Sequence, residues 1–156
     1  MHGAVLSAGG SGVMFTAPSG TGKTTHAQLW LSQIPDCHMV NGDKPLIRFD
    51  ASGPIACGTP WCGKEKLGRN EQVPLRAICY VQRADHNRLV RVAPSAIWPL
   101  LLKQVYLPKG PAGIGQVIPL FNRLCTEVPL YRLECNMDPE AALTAYQTLR
   151  DDHILK

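Results

Sequence analysis

The chain has 156 residues, is 45% apolar and 18% charged, and carries a formal net charge of +4. That is enough chain for one domain, residues 1–156, with a packed core, and the composition is not that of a disordered or fibrous protein. No run approaches the roughly 18 uncharged apolar residues of a membrane helix, no secretion signal opens the chain, and no dense Lys/Arg cluster marks a nucleic-acid surface, so a cytoplasmic protein with neither membrane nor nucleic acid as partner is expected.

In chain order, Gly3–Ser7 and Val13–Thr16 read as short apolar strands joined by a glycine-rich turn, hence a hairpin. A loop over Ala17–Gly22 follows. From Lys23 the apolar spacing becomes helical, and Pro35 ends that helix. Cys37–Val40 is a third apolar run and leads directly into Asn41-Gly42-Asp43. Lys44–Phe49 and Pro54–Cys57 read as a second hairpin around Asp50-Ala51-Ser52-Gly53. Gly58–Gln72 is irregular and polar. Leu75–Gln82 is a strand, and Arg88–Val92 is expected to pair back on it. Ser95–Val105 and Gln116–Thr126 have helical spacing, with a Pro/Gly loop over Pro108–Gly115 between them. Pro129–Cys135 reads as a strand. Asp138-Pro139-Glu140 has the pattern of an acid N-cap, a first-turn proline and a first-turn acid, opening a helix that runs to Arg150.

Six cysteines, at 37, 57, 62, 79, 125 and 135, include no Cys-x-x-Cys pair. They read as small, mostly buried thiols, and zinc is not expected. His26, His38, His86 and His153 are scattered, and Trp30 and Trp98 sit at packing positions.

The chemistry is concentrated in Ala17-Pro18-Ser19-Gly20-Thr21-Gly22-Lys23-Thr24-Thr25, which matches a phosphate-binding loop with Ala at the first glycine position. Gly20 and Gly22 let successive backbone N–H groups of Ser19–Thr25 turn toward phosphate oxygens. The following helix presents its positive end to the same anion. Lys23 supplies a point charge for the outer phosphates, and the Thr24 hydroxyl suits Mg²⁺. The expected ligands are ATP and Mg²⁺. Asp43, at a strand end, is the second candidate Mg²⁺ ligand. A turn acid after Asn-Gly is the plainer reading of the same residue. Lys44 reads as an exposed lysine, and Asn87-Arg88 reads either as a hairpin turn or as a group approaching the adenine or a second substrate.

The set His2-Gly3-Ala4, Ala17–Thr25 and Asn41-Gly42-Asp43-Lys44 resembles the catalytic domain of HPr kinase/phosphorylase. Its Ser-Gly-Thr-Gly-Lys-Thr-Thr run also resembles ATP-dependent phosphoenolpyruvate carboxykinase. The motifs cover roughly residues 2–92. The resemblance implies an α/β fold with a twisted mixed sheet flanked by helices, ATP-dependent phosphorylation of a serine or other hydroxyl of a protein, peptide or small molecule, and assembly into homo-oligomers. It carries His2 over as the assisting residue and Asp43 over as one of two acids, beside Lys23. The family's paired acids read here as Gly42-Asp43, so one carboxylate is missing. That leaves a catalytically weakened nucleotide-binding regulatory module as the alternative. Gly58-Thr59-Pro60-Trp61-Cys62-Gly63-Lys64-Glu65-Lys66 looks like a segment of small HPr-kinase-like proteins. It reads either as a loop closing over the phosphates, with Glu65 replacing the missing acid, or as an exposed basic loop around a packed Trp61.

Overall fold

The structure is a computed structural model that describes residues 1–156. Its centre is an eight-stranded mixed sheet. Strands β1 (Ala4–Ala8) and β2 (Ser11–Thr16) form the expected hairpin, and β3 (Cys37–Asn41) pairs antiparallel with the other edge of β1. Two further strands close the expected second hairpin, β4 (Leu46–Asp50) and β5 (Gly53–Cys57). The long β6 (Gln72–Arg83) binds β5 through its first residues and runs parallel to β2 further on. On its far side β6 pairs in parallel with β8 (Leu130–Cys135), and β7 (Arg88–Val92) closes that side of the sheet, antiparallel to β8.

Alternation along the strands divides the apolar side chains between two faces. Leu6, Val13, Phe15, Ala77, Cys79 and Val81 point to one face, where they meet helices α1 (Lys23–Gln33) and α4 (Glu140–Asp151) through Ala27, Trp30, Ala142, Ala145 and Leu149. Val5, Met14, Ile78 and Tyr80 point to the other, under α2 (Pro94–Leu102) and α3 (Pro111–Glu127), which contribute Ile97, Leu101, Phe121 and Leu124. The result is a three-layer α/β domain with helices on both faces of a mixed sheet, as the sequence led one to expect.

Three local expectations are corrected. Arg88–Val92 does not pair back on the preceding strand, because β2 and β8 already occupy both edges of the second half of β6. It crosses to β8 instead, and Asn87 Oδ1 accepts the Asn136 amide at 3.0 Å to tie that turn to the end of β8. The Pro/Gly loop ends at Gly110, since Pro111 opens α3, where its missing N–H costs nothing. Asp138 gives no side-chain cap to α4; its carboxylate accepts from Asn136 Nδ2 at 2.8 Å, and Ala141 N bonds the Asp138 carbonyl instead.

Under α1, Phe15, His26 and Trp30 form an aromatic cluster, and Trp30 Nε1–H donates to His26 Nε2 at 3.0 Å. Burial lowers the His26 pKa to about 4. The unfolded chain, with an ordinary histidine, takes up a proton near pH 6.5 while the fold keeps the ring neutral. Stability from this group is therefore complete above pH 6.5 and declines as the pH falls toward 4, by about 3 kcal/mol in total. Urea unfolding at a series of pH values is expected to show that slope, and His26→Gln is expected to remove it.

Candidate functional site

Sheet topology places the candidate residues along one end of the sheet. β2, β6 and β8 are mutually parallel and finish there; β1 is antiparallel and starts there; β3, antiparallel to β1, finishes there. A cleft of about 740 Å³ runs along this end. Its lining contains Asp43 just after β3, His2 before β1, Ser19–His26 after β2, Arg83 and Ala84 at the end of β6, and Asn136 and Met137 after β8. At about 4.8 Å between neighbouring strands, the span from β3 to β8 is roughly 19 Å. Open α/β sheets characteristically bind ligands in such a crevice.

The central loop is shaped for an anion. Gly20 (φ 79°) and Gly22 (φ 118°) take backbone conformations that only glycine adopts without strain. The amides of Gly20, Gly22, Lys23, Thr24 and Thr25 have no acceptor within the chain. Four of these open the first turn of α1 or directly precede it, where the helix dipole adds positive potential. Lys23 is buried beneath the loop and donates from Nζ to the carbonyls of Ala17 at 2.8 Å and Pro18 at 3.1 Å. Desolvation lowers its pKa, and the Asp43 carboxylate acts in the opposite direction. Thr24 and Thr25 are exposed to the cleft.

The acidic end is well ordered. Asn41 Oδ1 accepts the Asp43 amide at 3.0 Å, and the Asn41 side-chain amide reaches Thr59. The Asp43 carboxylate meets His2 Nε2 at 3.3 Å and also accepts from Lys44. His2 is pinned despite its position near the start of the chain. Its backbone N–H donates to the Gln104 carbonyl at 2.7 Å, its carbonyl accepts from Thr16 Oγ1 at 2.7 Å, and its Nδ1 lies 3.2 Å from Gln104 Oε1. Gln104 is a buried residue just after α2 that the sequence did not single out.

The segment after β5 forms one wall. Lys44 N–H donates to the Trp61 carbonyl at 3.0 Å and Arg69 N–H to the Val40 carbonyl at 3.0 Å, so the segment is laced to β3 and its exit. Gly63, Lys64 and Glu65 line the cleft. Trp61 is 67% exposed, so no packed tryptophan holds this loop. Gly42 explains the single acid at the β3 end. A Cβ built there would lie 2.6 Å from the Cys62 carbonyl oxygen, so this loop leaves no room for a neighbouring carboxylate side chain.

The cleft thus brings together His2, Ser19–Thr25, Lys23 and Asp43. It does not include Asn87 or Arg88. Arg83, Asn136 and Met137 were missed, because only the β2-β6-β8 pairing brings them beside the loop. No group of three or more His, Cys, Asp or Glu forms a metal-binding cluster. The oxygen donors on this cleft, the Thr24 hydroxyl and the Asp43 carboxylate, are instead the type that suits Mg²⁺ with water completing its shell.

No protein-family description and no curated protein matches the sequence. Among solved structures the fold is similar to the Hpr(Ser) kinase/phosphatase from Coxiella burnetii, with a TM-score of 0.58 over 99% of this chain and 90% of that one, at 10% sequence identity. A likeness at that identity establishes the fold, a mixed α/β sheet flanked by helices that this chain shares with a kinase/phosphatase.

Proposed function

We propose that the chain is an ATP-dependent phosphotransferase that moves the terminal phosphate to a serine or other hydroxyl of a protein, peptide or small molecule. One observation carries this reading: a nest of unbonded amides with Lys23 shares a single cleft with the Asp43–His2 pair. In it Ser19, Gly20, Thr21, Gly22, Lys23, Thr24 and Thr25 hold the phosphates. Thr24 and Asp43 would hold Mg²⁺, which would neutralise charge on the outer phosphates. Asp43 takes the proton of the acceptor hydroxyl as its oxygen bonds the terminal phosphorus and the bond to the ADP oxygen breaks. His2 holds the carboxylate in place. With the terminal phosphate toward Asp43, the rest of the nucleotide extends over the ends of β6 and β8, toward Asn136 and Met137. The whole chain acts as one nucleotide-binding unit in the cytoplasm, and copies of it self-associate, as the kinase resemblance implies.

A second reading is a regulatory module that binds nucleotide without turning it over. The crowded Gly42, which leaves Asp43 as the only acid at that strand end, favours it. Titration calorimetry with Mg·ATP, followed by incubation with [γ-³²P]ATP and a panel of serine peptides and hydroxylated metabolites, separates the readings. Label on an acceptor supports the transferase. Binding without hydrolysis or transfer supports the module. No heat with Mg·ATP overturns both.

A further inference from the structure

The phosphate loop's carbonyl oxygens must face away from the cleft if its amides are to face into it, because C=O and N–H of one trans peptide point in opposite directions. Two cations receive those carbonyls. Lys23 Nζ takes Ala17 and Pro18, as described above. Arg83, the last residue of β6, takes the next pair: Nη2–H donates to the Gly20 carbonyl at 2.5 Å and Nε–H to the Thr21 carbonyl at 3.0 Å. The register explains the reach. Thr16 of β2 lies opposite Tyr80 of β6, so the chain three residues past Tyr80 overhangs the sheet beside the loop three residues past Thr16.

We infer that Arg83 is a positioning residue for the phosphate loop: by clamping the Gly20 carbonyl it holds the turn in which Thr21 N–H donates to the Pro18 carbonyl at 3.3 Å, and by clamping the Thr21 carbonyl it turns the Gly22 amide toward the phosphates. The inference rests on reading Ala17–Thr25 as the nucleotide cradle. It matters most once nucleotide arrives. Lys23 must leave Ala17 and Pro18 to reach a phosphate; Thr21 Oγ1–H still donates to the Pro18 carbonyl at 2.9 Å, and Arg83 then remains the one cation on the loop's carbonyls and the one side chain from outside the loop that holds them. A guanidinium suits this task, since its fixed fork serves two acceptors at once, whereas an ammonium on a flexible stem does not.

The test uses Arg83→Ala and Arg83→Lys in the full chain. Arg83 is exposed, so both variants are expected to melt as the wild type does. In the nucleotide-free protein, the Thr21 and Gly22 amide resonances are expected to move in both variants. With Mg·ATP, Arg83→Ala is expected to raise KM about tenfold with kcat within about twofold, because the clamp supports ground state and transition state alike. Arg83→Lys is expected to be as impaired as Arg83→Ala. Full recovery by Arg83→Lys would mean simple charge attraction and would overturn the clamp. So would unchanged amide resonances in the free Arg83→Ala protein. If the wild type itself failed to bind Mg·ATP, the nucleotide reading would fall while the free-protein resonances still decided the clamp.

Discussion

Lys23→Met is expected to lower ATP turnover about a thousandfold, the scale seen when one pre-organised charge is removed from a reacting centre. Met keeps the buried stem packed under the loop, so loss of activity is not confounded with loss of fold. The size of the effect follows from where Lys23 sits. Its ammonium is largely removed from water and held at 2.8 Å and 3.1 Å by two carbonyls of the same loop. Transferred to a terminal phosphate, that charge acts in a partly desolvated site, where it is worth more than in bulk water. Steady-state phosphate release and calorimetry with Mg·ATP measure turnover and binding separately. Turnover within about tenfold of the wild type would remove Lys23 from the proposed chemistry.

Asp43→Asn is the second large effect. It preserves shape and the backbone bond to Asn41, but it cannot accept the acceptor's proton and is a weaker Mg²⁺ ligand. Phosphate transfer is expected to fall by about 10²–10⁴, the usual range for a general base. Nucleotide binding without Mg²⁺ is expected to change little, because the amide nest lies on other residues. Quenched single-turnover assays with the labelled acceptor read the first, and calorimetry in EDTA reads the second. If Asp43→Asn transferred phosphate at the wild-type rate, the base would have to be sought elsewhere, with Glu65 on the facing wall as the next carboxylate to replace.

The parts of this cleft that were legible in the sequence are those in which neighbouring residues carry the constraint. The phosphate loop is contiguous, and its glycines announce their own backbone conformation. The two hairpins are local, with their turn residues between the strands they join. His2 was harder, since a residue beside a chain end has no periodicity to argue from. The signal lay in its fixed spacing from the loop, and the physical reason is its long-range anchoring by Gln104 and Thr16. What could not be read depended on strand order. Nothing near Arg88–Val92 says that β8, more than thirty residues later, will take the edge it would otherwise use. The same ignorance hid Arg83, Asn136 and Met137, which become neighbours of the loop only through parallel pairing. Gly113 and Gly115 disguised the first turn of α3, and the competing Asn136 contact diverted Asp138 from capping.

The anchoring of residue 2 beside Asp43 has a practical corollary for anyone handling the molecule. Met1 N lies 3.4 Å from the Pro45 carbonyl and His2 Nε2 3.3 Å from the Asp43 carboxylate, so a purification tag joined at Met1 would lie close to the proposed base. Lys156, by contrast, borders the hollow formed with Ser11 and Gly53, at the far end of β2 from the phosphate loop. Fusions and surface tethers placed there leave the cleft mouth open.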